Sequence, residues 1–314
     1  MKDTVKIRNF EDLNSIDGER RCEFILTEDI NAQGKNLNNI NVFNGTLDGR
    51  GHVIRGLSGK QNGLITTNTG IIKNLHIRKL EWNGEGVKSG YHCGIICDIN
   101  GTDEKKGKVM NCSVEGELKE YDEVGGIVNE NRNGEIINCT SNCIIKDANL
   151  AGGIVAKNYD KVARCGSVCK IKNIQRLSGG ISGLNLNGTI KNSCFTGIIK
   201  YTSEAGGISA RNLKKGKIVF CHTCPTLERN WKSGILTSHC SNSSIENSSY
   251  RLEDKGNFLT DYASNSLIRN CYWITDMIDH DRLIAEKEEG TKVESVNRAS
   301  SLLEAKKNIL IGSI

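Results

Sequence analysis

The tripeptide Gly-Gly-Ile recurs through the middle of the chain, at Gly125-Gly126-Ile127, Gly152-Gly153-Ile154, Gly179-Gly180-Ile181 and Gly206-Gly207-Ile208, followed by Ser233-Gly234-Ile235. The second glycines of these units, at 126, 153, 180, 207 and 234, lie 27 residues apart. Short alternating apolar runs separated by Asn or Gly fill each interval, which is typical of β-strands and not of helices. Strands this short are buried only when each unit stacks on the next, so the sequence predicts a solenoid.

The predicted fold is an all-β, right-handed parallel β-helix of about eight coils, in which each strand pairs with its equivalent one coil later, at about 4.8 Å. We divide the chain into an N-terminal cap and entry strand at 1–42, a β-helix of 27-residue repeats at 43–275 and a C-terminal segment at 276–314. One loop, Gly101–Gly107, lengthens its repeat, and insertions in solenoids go to loops.

Short helical caps are expected at both ends, because exposed edge strands invite association. At the N-terminus, Asn9 is a candidate cap for a helix through Phe10, Leu13 and Ile16, and residues 22–26 read as an entry strand. At the C-terminus an amphipathic helix is predicted from the spacing of Val293, Val296, Ala299, Leu302 and Leu303.

The repeat unit resembles a known family. Gly-Gly-Ile-Val-x-x-Asn followed by Gly-x-Ile-x-Asn-Cys is similar to the GLUG repeat of bacterial surface proteins, filamentous-haemagglutinin-like adhesins and the non-catalytic region of some IgA1 peptidases. The stretch 43–54 resembles the coil that opens such repeats, and Asn270-Cys271-Tyr272-Trp273 resembles their close. The resemblance runs from about Phe43 to Trp273 and implies a β-helical stalk or binding scaffold without catalytic residues of its own.

Composition excludes several classes of protein. The net charge of +5 comes from 42 basic and 37 acidic residues scattered along the 314-residue chain, so no nucleic-acid footprint is predicted. The N-terminal residues have no apolar region typical of a signal peptide and no long apolar segment follows, so we expect no membrane insertion and a cytoplasmic location, with a cell surface or phage injection apparatus as the alternative. The 13 cysteines are an odd number in an unsignalled chain, which favours reduced, buried thiols.

The cysteines nevertheless form the second most regular feature of the sequence. One set falls at the same phase of successive repeats and is expected to stack in a column: Cys112, Cys139, Cys165, Cys194, Cys221 and Cys271, with Ser248 in the remaining coil. A second set follows three or four residues later, at Cys143, Cys169 and Cys224. An inward stack of small side chains is the simplest interpretation, and metal binding or enzymatic modification of the thiols is the alternative.

One stretch has the spacing of half a zinc site. Cys221 and Cys224 form a Cys-x-x-Cys pair, and His239 and Cys240 lie in the following coil. These four residues are weak candidates for metal ligands, because a structural site needs four converging groups.

Carboxylates in equivalent turns are candidates for catalysis. Asp122, Glu123 and Glu204 precede Gly-Gly steps and could line one outer edge, as a polysaccharide lyase or hydrolase requires. Lys146, Lys200 and Arg229 share that edge, so a solvated surface of mixed charge explains the same pattern.

Three functional hypotheses follow. The first is a non-enzymatic scaffold that presents the loops 101–107 and 81–90 to a protein or glycan partner. The second is a carbohydrate-active enzyme, and the third is a cysteine-ladder protein whose thiols bind metal or are modified. No cofactor is predicted, and self-association through the end coils is compatible with the fold.

Overall fold

The computed structural model describes residues 3–85, 90–251, 258–274, 284–287, 290–294 and 296–299. It is a parallel β-helix of about nine turns, which confirms the predicted fold class with about one coil more than expected. Each coil contributes strands to three faces, and each strand pairs in parallel with its equivalents in neighbouring coils.

Face A is the twelve-stranded sheet. Its strands are Thr4–Ile7, Glu23–Leu26, Thr46–Asp48, Ile71–Lys73, Gly107–Met110, Gly134–Ile137, Lys161–Ala163, Thr189–Lys191, Lys217–Val219, Ser244–Glu246, Leu267–Arg269 and Lys292–Val293.

Faces B and C belong to the second, larger sheet. Face B contains Ile30–Asn31, Val53–Arg55, Ser58–Gly59, His76–Asn83, His92–Gly94, Ser113–Gly125, Thr140–Gly152, Gly166–Ser167, Lys170–Gly179, Cys194–Phe195, Ile198–Gly206, His222–Thr223, Thr226–Glu228, Ser249–Arg251, Cys271–Ile274 and Val296–Ala299. Face C contains Ile40–Phe43, Ile65–Asn68, Cys97–Asn100, Val128–Asn131, Val155–Asn158, Ser182–Leu186, Ser209–Leu213, Phe258–Ser264 and Ile284–Lys287, and Lys232–Ser241 runs from face B into face C.

The Gly-Gly step is the corner between faces B and C. A β-carbon on Gly152 would overlap the carbonyl oxygen of Val155, and one on Gly153 would overlap that of Gly180 in the next coil. The chain therefore turns so tightly here that no side chain fits, which explains why this pair anchors the repeat.

The core consists of aliphatic rows that run along the axis. The clearest row is on face A, where buried residues of equivalent phase stack from coil to coil: Leu47, Ile72, Val109, Ile136, Val162, Ile190, Ile218, Ile245 and Ile268. Burying one such side chain contributes about 1.5–3 kcal/mol. Branched aliphatic residues suit these positions because they pack well on a pleated surface.

A ladder of buried asparagines holds the turn between faces C and A. Each side-chain Nδ2 donates to the Oδ1 of the next member, at 2.7–2.9 Å, along Asn68, Asn100, Asn131, Asn158, Asn185 and Asn212. All six are fully buried. A slip of one residue would leave these amides buried without partners, so the ladder fixes the register of the coils.

The left-handed backbone conformation occurs at asparagines that do not belong to the ladder. Asn74, Asn111 and Asn138, on the outside of the turn after face A, have φ values of 54–55°. Asn129 lies outside the ladder and donates to Asp98 instead.

The N-terminal cap has the predicted helix. It spans Phe10–Asn14, and the Asn9 side chain accepts a hydrogen bond from the Asp12 amide at 2.8 Å. The parallel stack already includes Thr4–Ile7 and Glu23–Leu26, within the segment assigned to the cap. In the described ranges no helix is long and apolar enough to cross a membrane.

The prediction of a C-terminal helix is wrong for the first half of that segment. Lys292–Val293 and Val296–Ala299 are strands that continue faces A and B in register. The β-branched Val293 and Val296 follow the β-helix pattern, which outweighs their helical spacing. Leu302 and Leu303 lie outside the described residues.

One repeat is displaced by a residue from its predicted phase. Gly234 pairs with Gly206, the first glycine of the preceding unit, and not with the second. A Gly-Gly pair is therefore not conserved at this corner, where Ile235 takes the place of the second glycine.

We predict that Asn158→Ala lowers the urea midpoint of unfolding. The change leaves Asn131 Nδ2 and Asn185 Oδ1 without their ladder partners, at a cost of about 2–4 kcal/mol. Asn142→Ala, at an exposed position of a face B strand, is the matched control. Equal urea midpoints for the two variants would show that the ladder does not stabilise the fold.

Candidate functional site

The outer surface is concave where faces B and C meet, because outward side chains of the two faces contact each other. Glu123 of face B pairs with Lys157 of face C at 2.5 Å, and Glu204 accepts from Arg211 Nε at 2.7 Å. Between these pairs the corner is filled by an apolar cluster of Leu150, Ala156, Leu177 and Ala210, with Leu184 packed against it. We call this line of contacts the outer seam.

The structure places the predicted carboxylates along the seam but does not bring them together. Glu123 and Glu204 occupy the same row, with Leu150 and Leu177 between them, so three coils separate them. Three steps of about 4.8 Å make roughly 14 Å. Paired catalytic carboxylates of glycosidases lie within about 9.5 Å, so these two acids do not form such a pair.

Asp122, the third predicted acid, has a structural role. It accepts hydrogen bonds from Asn149 Nδ2 at 2.7 Å and from the Gly90 amide. It therefore ties the chain that returns from the 81–90 insertion to the next coil.

That insertion belongs to the least regular coil of the solenoid. His76 pairs with Ser113, so this coil has 37 residues, against 27 between Ser113 and Thr140. Nine of the ten extra residues fall in the loops 84–91 and 101–107, on either side of the face C strand Cys97–Asn100, and the tenth lies in a bulge between Ile77 and Leu80. Residues 86–89 lie outside the described ranges.

The strand between the insertions carries a buried carboxylate, Asp98. Asp98 is 7% exposed, and Asn129 Nδ2 donates to its Oδ1 at 2.9 Å. Burial raises the pKa of this carboxyl, and the charges of Glu130 and Glu123 raise it further, against the opposing effects of Asn129 and His92. The fold therefore favours a protonated acid at this position.

Glu123 is a second carboxylate near Asp98, and it contacts basic side chains. Its Oε1 contacts Lys157, and His92 Nε2 lies 3.8 Å from its Oε2. Within the described chain, that buried Oε2 has no hydrogen-bond partner. The end of the seam beside the irregular coil thus combines an acid of raised pKa with a carboxylate that has an unused acceptor.

Asp98 was not among the predicted site residues. Register alone could have singled it out, because the equivalent positions hold Asn129, Ala156, Gly183 and Ala210. Its burial could not be read from the sequence, since alternation along the strand puts it on the outer side.

The cysteine column is present, with one correction. Its members are buried and their thiols donate to the carbonyl two residues earlier, at 3.3–3.5 Å: Cys112, Cys139, Cys165, Cys221 and Cys271. Ser193 and Ser248 take the same place and make the same bond, at 2.9–3.0 Å. The column is therefore a set of small donors that satisfy turn carbonyls inside the core.

Cys194, predicted as a column member, lies one residue beyond the column. It pairs with Gly166 and His222 and is exposed. The coil that ends at Ser193 contains an extra residue. Ser193, and not Cys194, therefore occupies the buried position of the column.

Burial disfavours the thiolate form of three column cysteines. It raises the pKa of Cys221 and of Cys271 to about 12 and that of Cys165 well above its usual value. Thiolates are the metal-binding and nucleophilic form of cysteine, so these positions suit packing better than chemistry.

The predicted metal ligands do not converge. Cys221 points into the column, Cys240 Sγ lies 3.1 Å from Ser243 Oγ, and the His239 ring stacks on Tyr262 at 4.4 Å. Throughout the part of the chain that the structure describes, no three His, Cys, Asp or Glu side chains are placed to hold a metal ion.

Comparison with known proteins supports the fold. No family model matches the sequence, and no curated protein matches it. Among solved structures, the chain is similar to a candidate immunoglobulin A1 protease from Bacteroides ovatus, with a TM-score of 0.52 and 16% identity over 98% of this chain and 87% of that one. At this identity the likeness shows a β-helix and no activity.

A second solved structure aligns more weakly. It is the A-module of the mannuronan C-5 epimerase AlgE4 from Azotobacter vinelandii, with a TM-score of 0.29 and 12% identity over 94% of this chain and 100% of that one. The resemblance to the GLUG repeat stays a prediction.

We predict that Asp98→Asn stabilises the protein at neutral pH. A carboxyl whose pKa is raised by folding contributes stability below its unfolded pKa of about 3.9, and this contribution is lost as pH rises through the folded pKa. Asparagine accepts the Asn129 bond without ionising, so its advantage should appear at pH 7 and shrink below pH 4.

Urea midpoints measured across this pH range provide the test. Asp103→Asn, which removes the same charge from the exposed loop, is the control. An advantage of Asp98→Asn that does not change with pH would contradict the raised pKa.

Proposed function

We propose that this chain is a β-helical binding protein whose irregular coil contacts a protein or glycan partner. The observation that supports the proposal most directly is the insertion 101–107, which adds exposed residues to one turn of the solenoid. Asp103, Glu104, Lys105 and Lys106 are exposed at its tip.

The insertion has a defined shape. The Thr102 amide donates to Lys105 O at 2.8 Å, and Asn133 Nδ2 of the next coil donates to Thr102 O at 2.9 Å. Little conformational entropy is lost when such a preordered loop binds, which favours recognition. Regular coils offer no comparable projection.

Removing the insertion tests this proposal. Asn100 and Gly107 pair with Asn131 and Gly134, so deletion of Asp103–Lys106 restores the repeat length at this turn. We expect the deletion to abolish binding to a partner identified with the intact protein on glycan arrays and in pull-downs, with thermal unfolding little changed.

A variant that keeps the loop length but replaces Asp103–Lys106 with Gly-Ser-Ser-Gly separates side-chain recognition from loop shape. Full affinity of the deletion variant for the identified partner would refute the mapping.

A second candidate function, a carbohydrate-active enzyme, is favoured by the pairing of Asp98 with Glu123. An acid of raised pKa near a second carboxylate supplies the two groups that general acid–base catalysis at a glycosidic bond uses. Asp98 would donate the proton, and Glu123 would accept one.

If this candidate is right, Asp98→Asn and Glu123→Gln each lower activity on an acidic or neutral polysaccharide by roughly a hundredfold or more. Glu204→Gln, in the same row three coils away, should retain activity. Release of reducing ends across a polysaccharide panel is the measurement. Failure of the intact protein to cleave any polymer would remove the candidate.

A further inference from the structure

The fold assembles a row of lysines that the sequence disperses. On the outer side of face B, Lys119 pairs with Lys146, Lys146 with Lys172 and Lys172 with Lys200. Successive members are therefore separated by one coil, about 4.8 Å. Lys170 stands two residues before Lys172 in the same strand and is exposed. We call these five residues the lysine ladder.

Carboxylates compensate only part of this charge. Lys146 Nζ lies 2.5 Å from Glu117 Oε1, and Lys200 Nζ lies 3.8 Å from Glu228 Oε2. Within the described ranges, Lys119, Lys170 and Lys172 form no salt bridge. The downstream half of the ladder is accordingly the more positive half.

Stability of the fold does not account for the ladder. Like charges directly opposite each other on neighbouring strands are destabilising. The neighbouring outward row lies two residues earlier in each strand and holds Glu117, Ile144, Lys170 and Ile198 in successive coils. The outer side of face B therefore tolerates uncharged residues. Four consecutive lysines are thus a cost that a bound anion would offset.

Two shallow cavities adjoin the ladder. One of about 410 Å³ is lined by Glu81, Trp82, Asn83, Glu117 and Lys119. The other, of about 420 Å³, includes Glu117, Asn142 and Lys170 in its lining. The buried Trp82 Nε1, in the first lining, has no hydrogen-bond partner among the described residues.

The linings combine cations with carboxylates and amides. A polymer that binds here must offer anionic groups to the lysines and hydroxyl groups to acceptors such as Glu117. A carboxylated polysaccharide has both. The DNA backbone carries anionic phosphates but no hydroxyl groups along the chain, so it meets only the first requirement.

We propose that the lysine ladder binds a linear carboxylated polysaccharide lying along the solenoid axis, with its uronate groups contacting successive lysines. Charge spacing argues against duplex DNA, which carries one charge per about 1.7 Å of axis, whereas the ladder has one lysine per about 4.8 Å. Single-stranded nucleic acid is bound largely by stacking on aromatic side chains. The two outward rows from Glu81 to Thr226 and from Asn83 to Glu228 contain none, and the neighbouring ring of Tyr201 is already in contact with Lys200 and Arg229.

The test compares the intact protein with the triple variant Lys170→Gln, Lys172→Gln, Lys200→Gln. Polygalacturonate is the probe, and the same polymer with its carboxyl groups reduced to alcohols is the neutral control. We expect the intact protein to bind only the charged polymer, and the triple variant to bind it roughly ten- to a hundredfold more weakly, with a smaller dependence on salt.

A control variant carries the same change of charge on another surface: Lys191→Gln, Lys215→Gln and Lys217→Gln, on or beside face A. It should bind polygalacturonate within about twofold of the intact protein, since exposed charges beyond about 10 Å are screened. Thermal unfolding of each variant confirms folding.

The proposal is overturned if the intact protein does not bind polygalacturonate, if the two triple variants bind it equally, or if a single-stranded oligonucleotide binds more tightly than the uronate polymer. It concerns a surface separate from the 101–107 loop and the Asp98 cluster. Deletion of Asp103–Lys106 should leave uronate binding unchanged. The test of uronate binding is therefore independent of the test of the proposed function.

Discussion

The constraint on which the structure depends is the parallel register between coils. Each residue lies beside its equivalents one coil before and after, so a choice made once per repeat becomes a continuous row along the axis. The buried amides from Asn68 to Asn212 enforce this register, because each one finds its hydrogen-bond partner only when the coils align. The aliphatic rows add most of the burial energy and oppose the same slip, because a shift of one residue would turn their side chains out of the core.

The regular part of the fold was predictable for the same reason. Gly152 and Gly153 recur because the corner excludes a β-carbon, and the recurring column cysteines reveal the repeat phase. The errors arose where one residue was added to a coil. Cys194 was assigned to the column that Ser193 occupies, and Gly234 to the wrong glycine of its pair. A constant period cannot detect an insertion that a turn absorbs, whereas backbone pairing can.

The functional features were less predictable, because they depend on distances between residues remote in sequence. Asp98 is buried only because face B folds against face C outside the core, and nothing in the strand Cys97–Asn100 signals that contact. Glu123 was found, but its predicted companion Glu204 belongs to another part of the seam. Sequence spacing places Lys146 and Lys200 on one edge, but it does not reveal that Lys119 and Lys172 complete the row.

Two kinds of surface therefore coexist on one solenoid, and they suit different ligands. A row repeated every coil, such as the lysine ladder, presents identical groups at a constant spacing and favours a polymer with a matching repeat. The irregular coil presents a single arrangement of Asp98, Glu123 and the 101–107 loop, which no other described coil reproduces, and this favours recognition of one defined group. Because both lie on the same rigid core, a polymer held along face B would keep a fixed position relative to the irregular coil. The core thus supplies alignment, and the departures from its repeat supply specificity.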